Sequence, residues 1–277
     1  MRRDRQLRRE VFFDEAASLT PYLAFKTRHG DLFFISSDDK VLGKLLFVRG
    51  RNTDAKVLSK AVCLLDEDGF KVAGSTFVDV GANIGTTTVV ALRHHGFSRG
   101  VSIEASPSNV RTLRINLTAN ELDDAVTVIA AAVSDDEGEQ VLILSGKSSG
   151  EHTLDPTKLS SEPSGHVTVK TVTLDGLVSR REIDPTQVGL LWVDVAGTET
   201  IALAGASTLI EAGVPIVVAV RPKNPESWLE SKAVLAGLLR SYTDFALLRK
   251  GSGGWSKDVM SLLDQLSLGS DLLAVRR

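Results

Sequence analysis

From residue 76 to the C-terminus, short apolar runs alternate with longer amphipathic stretches. Runs rich in Val, Ile and Leu are typical of strands buried on both faces, and apolar spacings of three and four predict helices. The alternation predicts an α/β fold with a mostly parallel sheet and helices on both faces. The predicted strands are 76–80, 100–105, 126–133, 140–145, 188–195, 215–220, 245–251 and 271–277. The predicted helices are 86–95, 107–120, 198–212 and 226–241.

The first 70 residues follow a different pattern. Short apolar runs between 21 and 50, with turns at 29–31 and 37–39, predict short strands, and 53–66 predicts a helix with one apolar face. We therefore expect a small N-terminal lead-in (1–70) before the main domain (71–277). Residues 1–10 contain five arginines and no apolar segment follows them. This favours a solvated or disordered terminus over a secretory signal.

The segment 145–166 interrupts the alternation. It contains six serines, three glycines and two prolines, which predicts a long loop. Such a loop in a compact domain is usually functional or disordered, so a mobile loop over the substrate and a plain surface insertion are both open. His152 lies in this loop and could reach an acceptor as a base, although a solvated side chain is favoured.

Composition narrows the class of protein. The net charge of -3 over 277 residues gives no case for a nucleic-acid partner, and no apolar run is long enough for a membrane-spanning helix. Cys63 is the single cysteine, so neither an intrachain disulfide nor a multi-cysteine metal site is possible, and its apolar neighbours predict a buried thiol. We expect a cytoplasmic protein without a metal; the oligomeric state is open.

Three acidic residues end predicted strands. Asp79, Glu104 and Asp194 each stand at the carboxyl end of a different strand. Ligands of open parallel sheets bind beyond these ends, at the point where the strand order reverses. The sequence therefore predicts a ligand site with three carboxylates at one edge of the sheet.

The turn after Asp79 restricts the class of ligand that the site can bind. It passes through Gly81, Asn83 and Gly85, whereas a dinucleotide fingerprint would have a glycine at 83. Asp79 would also repel a pyrophosphate. S-adenosylmethionine has no phosphate and carries a sulfonium and an ammonium group, and Glu104 is spaced to accept hydrogen bonds from its ribose. A nicotinamide-dependent oxidoreductase remains the rival.

A family resemblance agrees with this ligand. The segments "FVDVGANIG", "SIEASPSN", "VIAAAVSDDEGE", "VTLDGL" and "LLWVDVAGTET" occur in the order typical of the FkbM family of S-adenosylmethionine-dependent methyltransferases, and the likeness runs from about residue 28 to the C-terminus. The resemblance implies a Rossmann-like class I methyltransferase fold of seven strands, the last inserted antiparallel. It also implies methyl transfer to a hydroxyl of a sugar, lipid or secondary metabolite, hence a small-molecule or glycan acceptor.

The same resemblance assigns roles to individual residues. Asp194 is the expected base or positioning residue. Glu199 begins the next helix, where it could orient the acceptor or only interact favourably with the helix dipole. The residues assigned to the cofactor are Asp79, Gly81, Asn83, Gly85, Glu104, Ala105 and Ala132.

The chain departs from the family pattern at three positions. Trp192 stands where the family has a lysine, and Ala196 and Ala219 stand where it has glutamates. These losses surround the expected acceptor position. They motivate an alternative, a non-catalytic S-adenosylmethionine-binding protein with a degenerate acceptor site.

Overall fold

A computed structural model describes residues 2–51, 54–159, 161–221, 225–249, 254–265 and 269–277. The strands within them are β1 (Tyr22–Lys26), β2 (Leu32–Ser36), β3 (Thr76–Val80), β4 (Arg99–Glu104), β5 (Val126–Ala130), β6 (Ala132–Val133), β7 (Gly138–Ser145), β8 (Pro163–Val172), β9 (Val188–Val193), β10 (Ile216–Val220), β11 (Asp244–Leu247) and β12 (Ser270–Val275). The α-helices are α1 (Arg2–Ala17), α2 (Leu42–Arg49), α3 (Ala55–Glu67), α4 (Thr86–His94), α5 (Pro107–Ala119), α6 (Leu174–Ser179), α7 (Glu199–Ala204), α8 (Ser207–Glu211), α9 (Pro225–Leu238) and α10 (Val259–Asp264).

The central sheet has seven strands in the order β11-β12-β10-β9-β3-β4-β5. Strands β5, β4, β3, β9 and β10 are mutually parallel, and β12 pairs antiparallel with both β10 and β11. This confirms the predicted fold class, including the inserted antiparallel strand. The chain leaves β3 toward β4 on one side and later returns to β9 on the other, so the strand order reverses between β3 and β9.

Alternating side chains of the central strands pack against helices on both faces. Phe77, Leu190 and Trp192 belong to the cluster formed with α3 and α4. Val78 and Leu191 belong to the cluster on the other face, which includes residues of α7, α8, α9 and α10. The period of two along each strand therefore buries both faces of the sheet, as the continuous apolar runs predict.

The lead-in is joined to the main domain through polar as well as apolar contacts. Asn116 lies on α5 and Asn120 caps the C-terminal end of this helix. The side chain of each accepts a hydrogen bond from a backbone N–H of β2 and donates one to a β2 carbonyl, over distances of 2.7 to 3.2 Å. These two asparagines satisfy the free edge of the β1–β2 hairpin, which would otherwise leave backbone groups unpaired. The boundary at residue 70 stays a prediction.

The N-terminal segment is helical over Arg2–Ala17, so the disordered alternative is wrong, whereas most of the helix is exposed, as the solvated alternative expects. Its apolar anchor, Phe13, is fully buried, with its ring centroid 5.8 Å from that of Phe47. Lys44 lies 2.8 Å from Asp14. Both partners belong to α2, which forms where the pattern predicted strands. The helix depends on this tertiary partner, which its own polar sequence does not reveal.

Two predicted elements are divided in the structure. The strand expected over 126–133 is two strands, because β6 leaves the central sheet and pairs with β8 in a separate three-stranded sheet. The helix expected over 198–212 breaks at Gly205, where a Cβ would lie 2.4 Å from the carbonyl oxygen of Ser134. The carboxylate of Asp175 then accepts the backbone N–H groups of Ser207 and Thr208 and starts α8.

The thiol of Cys63 is exposed, so the predicted core position is wrong. Residues 57, 58, 61, 62 and 65 form the buried stripe of α3, and position 63 falls outside it at 100° per residue. No helix in the described ranges is long and apolar enough to span a bilayer. The cytoplasmic location stays a prediction.

Candidate functional site

A cavity of about 190 Å³ opens at the carboxyl edge of the sheet, where the strand order reverses. We call it the edge cavity. Its walls come from the ends of β3, β4, β5 and β9, the start of α4, the α2–α3 connection and the segment after β7. The charged or ionisable residues that line it are Asp54, Asp79, Glu104, His152 and Asp194.

The glycine turn after β3 forms one wall. The backbone N–H groups of Gly81 and Ala82 both donate to the carbonyl oxygen of Ile103, at 2.9 and 3.0 Å. Gly81 has φ +83°, and a Cβ on it would lie only 2.1 Å from the carbonyl oxygen of Asp194. No side chain fits there, so glycine allows the turn to pack directly against the end of β9.

Glu104 holds the same turn from the neighbouring strand. One carboxylate oxygen accepts the N–H of Asn83 at 2.9 Å, and the other accepts the N–H of Ser106 at 2.8 Å and the amide of Asn109 at 3.3 Å. Burial raises the pKa of Glu104, and these donors oppose the rise. A carboxylate has about four acceptor positions, so the group can still accept a hydrogen bond from a ligand hydroxyl in the cavity.

Asp79 lies in the floor of the edge cavity with an exposure of 1%. The hydroxyl of Thr88 donates to it at 2.6 Å and lies 2.8 Å from the hydroxyl of Ser102. Burial raises the pKa of Asp79 to about 7, against the effect of the Thr88 hydrogen bond and with a contribution from the charge of Glu104. Asp79 is therefore a carboxyl group that a nearby cation would help to ionise.

Asp194 lies beyond the end of β9, across the cavity from Glu104. Its backbone N–H donates to the carbonyl oxygen of Val80 at 3.0 Å, which fixes it beside the glycine turn. Its side chain remains 32% exposed and lies 3.3 Å from the guanidinium of Arg221. Burial raises the pKa of Asp194 to about 7, and the charge of Arg221 opposes the rise.

Arg221 belongs to a chain of alternating charges that sequence reasoning missed. Its guanidinium also lies 3.3 Å from the fully buried carboxylate of Asp271, which pairs with Arg249 as well. Arg249 in turn lies 2.5 Å from Asp54, which like Asp194 lines the edge cavity. The acidic Asp271 inside an apolar closing strand was the available signal, because a buried carboxylate requires a partner.

The segment after β7 covers the edge cavity. We call residues 146–159 the covering loop. Its residue Ser149 donates from both N–H and hydroxyl to the carboxylate of Asp39, at 3.2 and 2.5 Å, and accepts from Asn109 at 3.0 Å. The hydroxyl of Thr153 donates to the carbonyl oxygen of Ala196 at 3.2 Å. These contacts hold the loop against the edge cavity, and its role over a substrate stays a prediction.

His152 of the covering loop also lines the cavity. Its Nδ1 accepts the backbone N–H of Ser145 at 3.0 Å, and burial lowers its pKa. The imidazole is therefore neutral, and its proton is on Nε2. In this arrangement His152 is a hydrogen-bond donor toward the cavity rather than a base.

The structure brings most of the predicted site residues together. Those that line the edge cavity are Asp79, Gly81, Asn83, Glu104, Ala105, Ala132 and Asp194. Gly85 and Glu199 do not line it. A Cβ on Gly85 would lie 2.4 Å from the side chain of Leu113, so the close packing of α4 on α5 explains why residue 85 is a glycine. Glu199 accepts the N–H of Gly197 at 3.1 Å and braces the turn after β9. Ligand contact by these two residues stays a prediction.

The three departures from the family pattern lie in different surroundings. Trp192 borders the cavity and packs in the core beneath α3 and α4. Ala196 lines the cavity in a left-handed conformation, φ +52°, which is rare for a residue with a side chain. Ala219 is buried in β10 and does not line the cavity.

The charges of the edge cavity fit S-adenosylmethionine. Four carboxylates line it, and among the described residues no lysine or arginine does. Burial raises the pKa of three of them, Asp79, Glu104 and Asp194, so a bound cation is favourable and a pyrophosphate is not. With seven strands in this order, the fold is that of a Rossmann-like class I methyltransferase.

A family model of the methyltransferase FkbM domain matches residues 79–246. The match covers more than half of the sequence, and the chain belongs to the FkbM methyltransferase family. The cofactor of this family is S-adenosylmethionine. No curated protein sequence matches the chain significantly.

Similar solved structures include an FkbM methyltransferase from Methylobacillus flagellatus KT, with a TM-score of 0.46 and 16% identity over 73% of this chain and 43% of that chain. This chain thus spans less than half of that protein's length. An RNA methyltransferase from Salinibacter ruber in complex with S-adenosyl-L-homocysteine has a TM-score of 0.34 and 18% identity over 59% of this chain and 74% of its own. A precorrin-6y C5,15-methyltransferase from Geobacter metallireducens GS-15 has a TM-score of 0.42 and 11% identity over 80% and 86%.

Proposed function

We propose that this protein methylates a hydroxyl oxygen of a small, uncharged acceptor, with Asp194 as the general base. The observation that carries the proposal is the position of Asp194. It lies across the edge cavity from Glu104, its carbonyl oxygen packs against Gly81, and its carboxylate lies 3.3 Å from Arg221. A carboxylate at this place faces the same cavity as the turn that would hold the methyl donor.

The cofactor end of the cavity has the groups that a cationic nucleoside requires. Glu104 would accept the ribose hydroxyls, and Asp79 would face the positively charged part of the ligand. Ala105 and Ala132 leave an apolar wall for the adenine. S-adenosylmethionine would supply the methyl group as an electrophile on a sulfonium sulfur, with neutral S-adenosylhomocysteine as the leaving group when the carbon–sulfur bond breaks.

At the acceptor end, Asp194 would take the proton of the acceptor hydroxyl as its oxygen bonds to the methyl carbon. General-base assistance of this kind is worth ~10²–10⁴-fold in rate. Arg221 holds the carboxylate in place and favours its ionised form. The covering loop would exclude water, and Nε2–H of His152 would donate a hydrogen bond to a ligand oxygen.

The wall charges support an uncharged acceptor over an anionic one. Asp54 and Asp194 both line the edge cavity, and the two arginines nearest to them are already paired with Asp271. A phosphate or carboxylate on the acceptor would meet carboxylates without a free cation among the described residues. This favours a hydroxylated sugar, lipid or secondary metabolite over a nucleic acid.

One observation favours the alternative of a non-catalytic S-adenosylmethionine-binding protein. Ala196 stands at the acceptor end without a polar side chain and in a left-handed conformation. Strained residues concentrate at functional sites, but here the family's acid is absent from the strained position. Binding of cofactor without turnover is the result that this alternative predicts.

Two measurements test the proposal. In a thermal-shift comparison, S-adenosylhomocysteine should stabilise the protein and NAD should not. Incubation with S-adenosylmethionine and a panel of neutral hydroxylated acceptors should then give products heavier by one methyl group in mass spectra. Stabilisation by NAD alone would establish the oxidoreductase rival. Stabilisation by S-adenosylhomocysteine with no methylation across the panel would favour the non-catalytic alternative.

A further inference from the structure

A second cavity, of about 180 Å³, lies between the lead-in and the C-terminal turn of α4. We call it the basic cavity. Its walls come from the β1–β2 turn, the α2–α3 connection, the first turns of α3 and the end of α4. The basic or titratable residues that line it are Arg28, His29, Asp31, Arg51, Lys56, His94 and His95.

Asp31, the one carboxylate among the described residues of this wall, already has hydrogen-bond and ion-pair partners. Asp31 is 2% exposed, and one of its oxygens lies 3.1 Å from Arg93 and 2.8 Å from His94. Its other oxygen accepts the hydroxyl of Thr27 at 3.1 Å. Asp31 therefore pairs with Arg93 behind the wall and with His94 on it, and with none of Arg28, Arg51 and Lys56.

Three cations of the basic cavity have no acidic partner in the part of the chain that the structure describes. Arg28 donates to the neighbouring His29 at 2.9 Å, and neither Arg51 nor Lys56 forms an ion pair there. Arg51 is half-buried and Arg28 and Lys56 are exposed at the rim, so an anion in this cavity would face three cations that no carboxylate of the described residues neutralises. The carbonyl end of α4 faces the same space, but its charge of about -0.5 does not balance three cations.

The start of α3 adds further donors. Ala55 and Lys56 line the cavity at the first turn of this helix, whose leading N–H groups have no acceptors within the helix. Asp54 precedes them but makes no side-chain cap, because its carboxylate pairs with Arg249 instead. Guanidinium, ammonium and backbone N–H groups together are the donors that a phosphate prefers.

We propose that the basic cavity is a binding site for the phosphate group of a small molecule, separate from the edge cavity and its methyl-transfer chemistry. The ligand is either free phosphate or a phosphorylated metabolite. The volume of this partly open cavity is large enough for a phosphate with a small substituent. The site does not depend on the proposed acceptor or on the role of Asp194.

Binding is measured by calorimetry and thermal shift with inorganic phosphate, against chloride at equal ionic strength, with the edge cavity saturated by S-adenosylhomocysteine. Phosphate should stabilise the protein, and the double variant Arg28→Gln, Lys56→Gln should bind it at least tenfold more weakly. The control Arg114→Gln, Lys170→Gln removes two exposed charges elsewhere and should bind as the unaltered protein does. Without phosphate, the cavity variant should melt at an equal or higher temperature, because like charges have been removed.

Further binding measurements distinguish free phosphate from a phosphorylated metabolite as the ligand. Tighter binding of glucose 6-phosphate than of inorganic phosphate supports a phosphorylated metabolite, and equal or weaker binding supports free phosphate. The proposal is overturned if phosphate and chloride act alike, if S-adenosylhomocysteine competes with phosphate, or if the control loses as much affinity as the cavity variant. It is also overturned if a single-stranded RNA oligonucleotide binds more tightly than either phosphate and loses affinity with the same substitutions.

Discussion

The carbonyl oxygen of Asp194 lies against the α-carbon of Gly81, so close that a Cβ on the glycine would come within 2.1 Å of it. This contact joins the turn after β3 to the end of β9 through backbone atoms alone. The proposed base and the proposed cofactor turn are therefore held as one unit. A change that shifts the backbone at either position is expected to disturb both, whereas a change confined to the Asp194 side chain is not.

Gly81→Ala tests this contact. The substitution places a methyl group into the carbonyl oxygen and forces alanine into φ +83°, so we expect a loss of roughly 3 kcal/mol or more in stability, and weaker binding of S-adenosylhomocysteine. Gly69→Ala is the matched control, with φ +78° and no atom within 4 Å of the added Cβ, and should lose only about 1 kcal/mol. Chemical denaturation measures both. Equal losses in the two variants would show that backbone conformation, not the contact with Asp194, limits position 81.

Asp194→Asn removes the proposed base and keeps the shape of the side chain. We expect kcat to fall by ~10²–10⁴-fold while the Kd of S-adenosylhomocysteine changes less than threefold, because the carboxylate acts on the acceptor. The control Asp124→Asn alters an exposed acid outside the edge cavity and should leave both values unchanged. Turnover is measured with an acceptor found in the panel. Parallel losses in kcat and cofactor affinity would assign Asp194 a structural role instead.

The pH profile tests the pairing of Asp194 with Arg221. Since burial raises the pKa of Asp194 to about 7 and only the ionised form accepts a proton, kcat should fall tenfold per pH unit below about 7 and level off above it. Asp54, Glu199 and Asp271 also raise this pKa, whereas Arg221 lowers it. Arg221→Gln should therefore move the inflection to higher pH. An inflection that stays in place in the variant would remove Arg221 from this role.

The sequence predicts three of the four carboxylates of the edge cavity, all but Asp54, because each of the three follows from local information. Asp79, Glu104 and Asp194 end apolar runs, and parallel strands bring their carboxyl ends to one edge. The glycine turn is likewise predicted from residues that are neighbours in the sequence. The boundaries of β3 and α4 follow from the same runs to within a residue.

Other parts of the site depend on contacts that no local pattern contains. Arg221 meets Asp271 across 50 residues, and Arg249 meets Asp54 across 195. The helix α1 is likewise stabilised by Phe47 rather than by its own sequence. Periodicity reports which residues are apolar, but not which distant partner satisfies a charge or covers an apolar face.

Asp79→Asn tests the energetic consequence of burying an acid in the edge cavity. The pKa of Asp79 in the folded state, about 7, lies above its ordinary value of 3.8, so the folded protein binds this proton more tightly than the unfolded chain does. The stability that this binding gives is complete below about pH 4 and is lost as the pH rises through 7. Without cofactor, Asp79→Asn should therefore be more stable than the unaltered protein at pH 8, by up to roughly 4 kcal/mol. The difference should fall to less than half of this at pH 5 and vanish below about pH 4. Denaturation midpoints across this range measure it. A difference independent of pH would mean that Asp79 is not the group that titrates.

Asp39→Asn tests whether the covering loop retains the cofactor. In the unaltered protein one oxygen of Asp39 accepts the N–H groups of Val41 and Leu42 at the start of α2, and the other accepts Ser149 of the covering loop. An asparagine can keep its oxygen toward α2, but its amide group cannot accept the two hydrogen bonds from Ser149. We therefore expect faster release of S-adenosylhomocysteine and a Kd raised about five- to tenfold, which is about 1 kcal/mol and so only part of the strength of the two lost bonds. Ser149→Ala removes the hydroxyl donor and should act in the same direction.

Asp38→Asn, an exposed neighbour, is the matched control and should leave the release rate unchanged. Stopped-flow displacement measures the rates, and unaltered release in Asp39→Asn and Ser149→Ala together would mean that this contact does not hold the loop over the ligand.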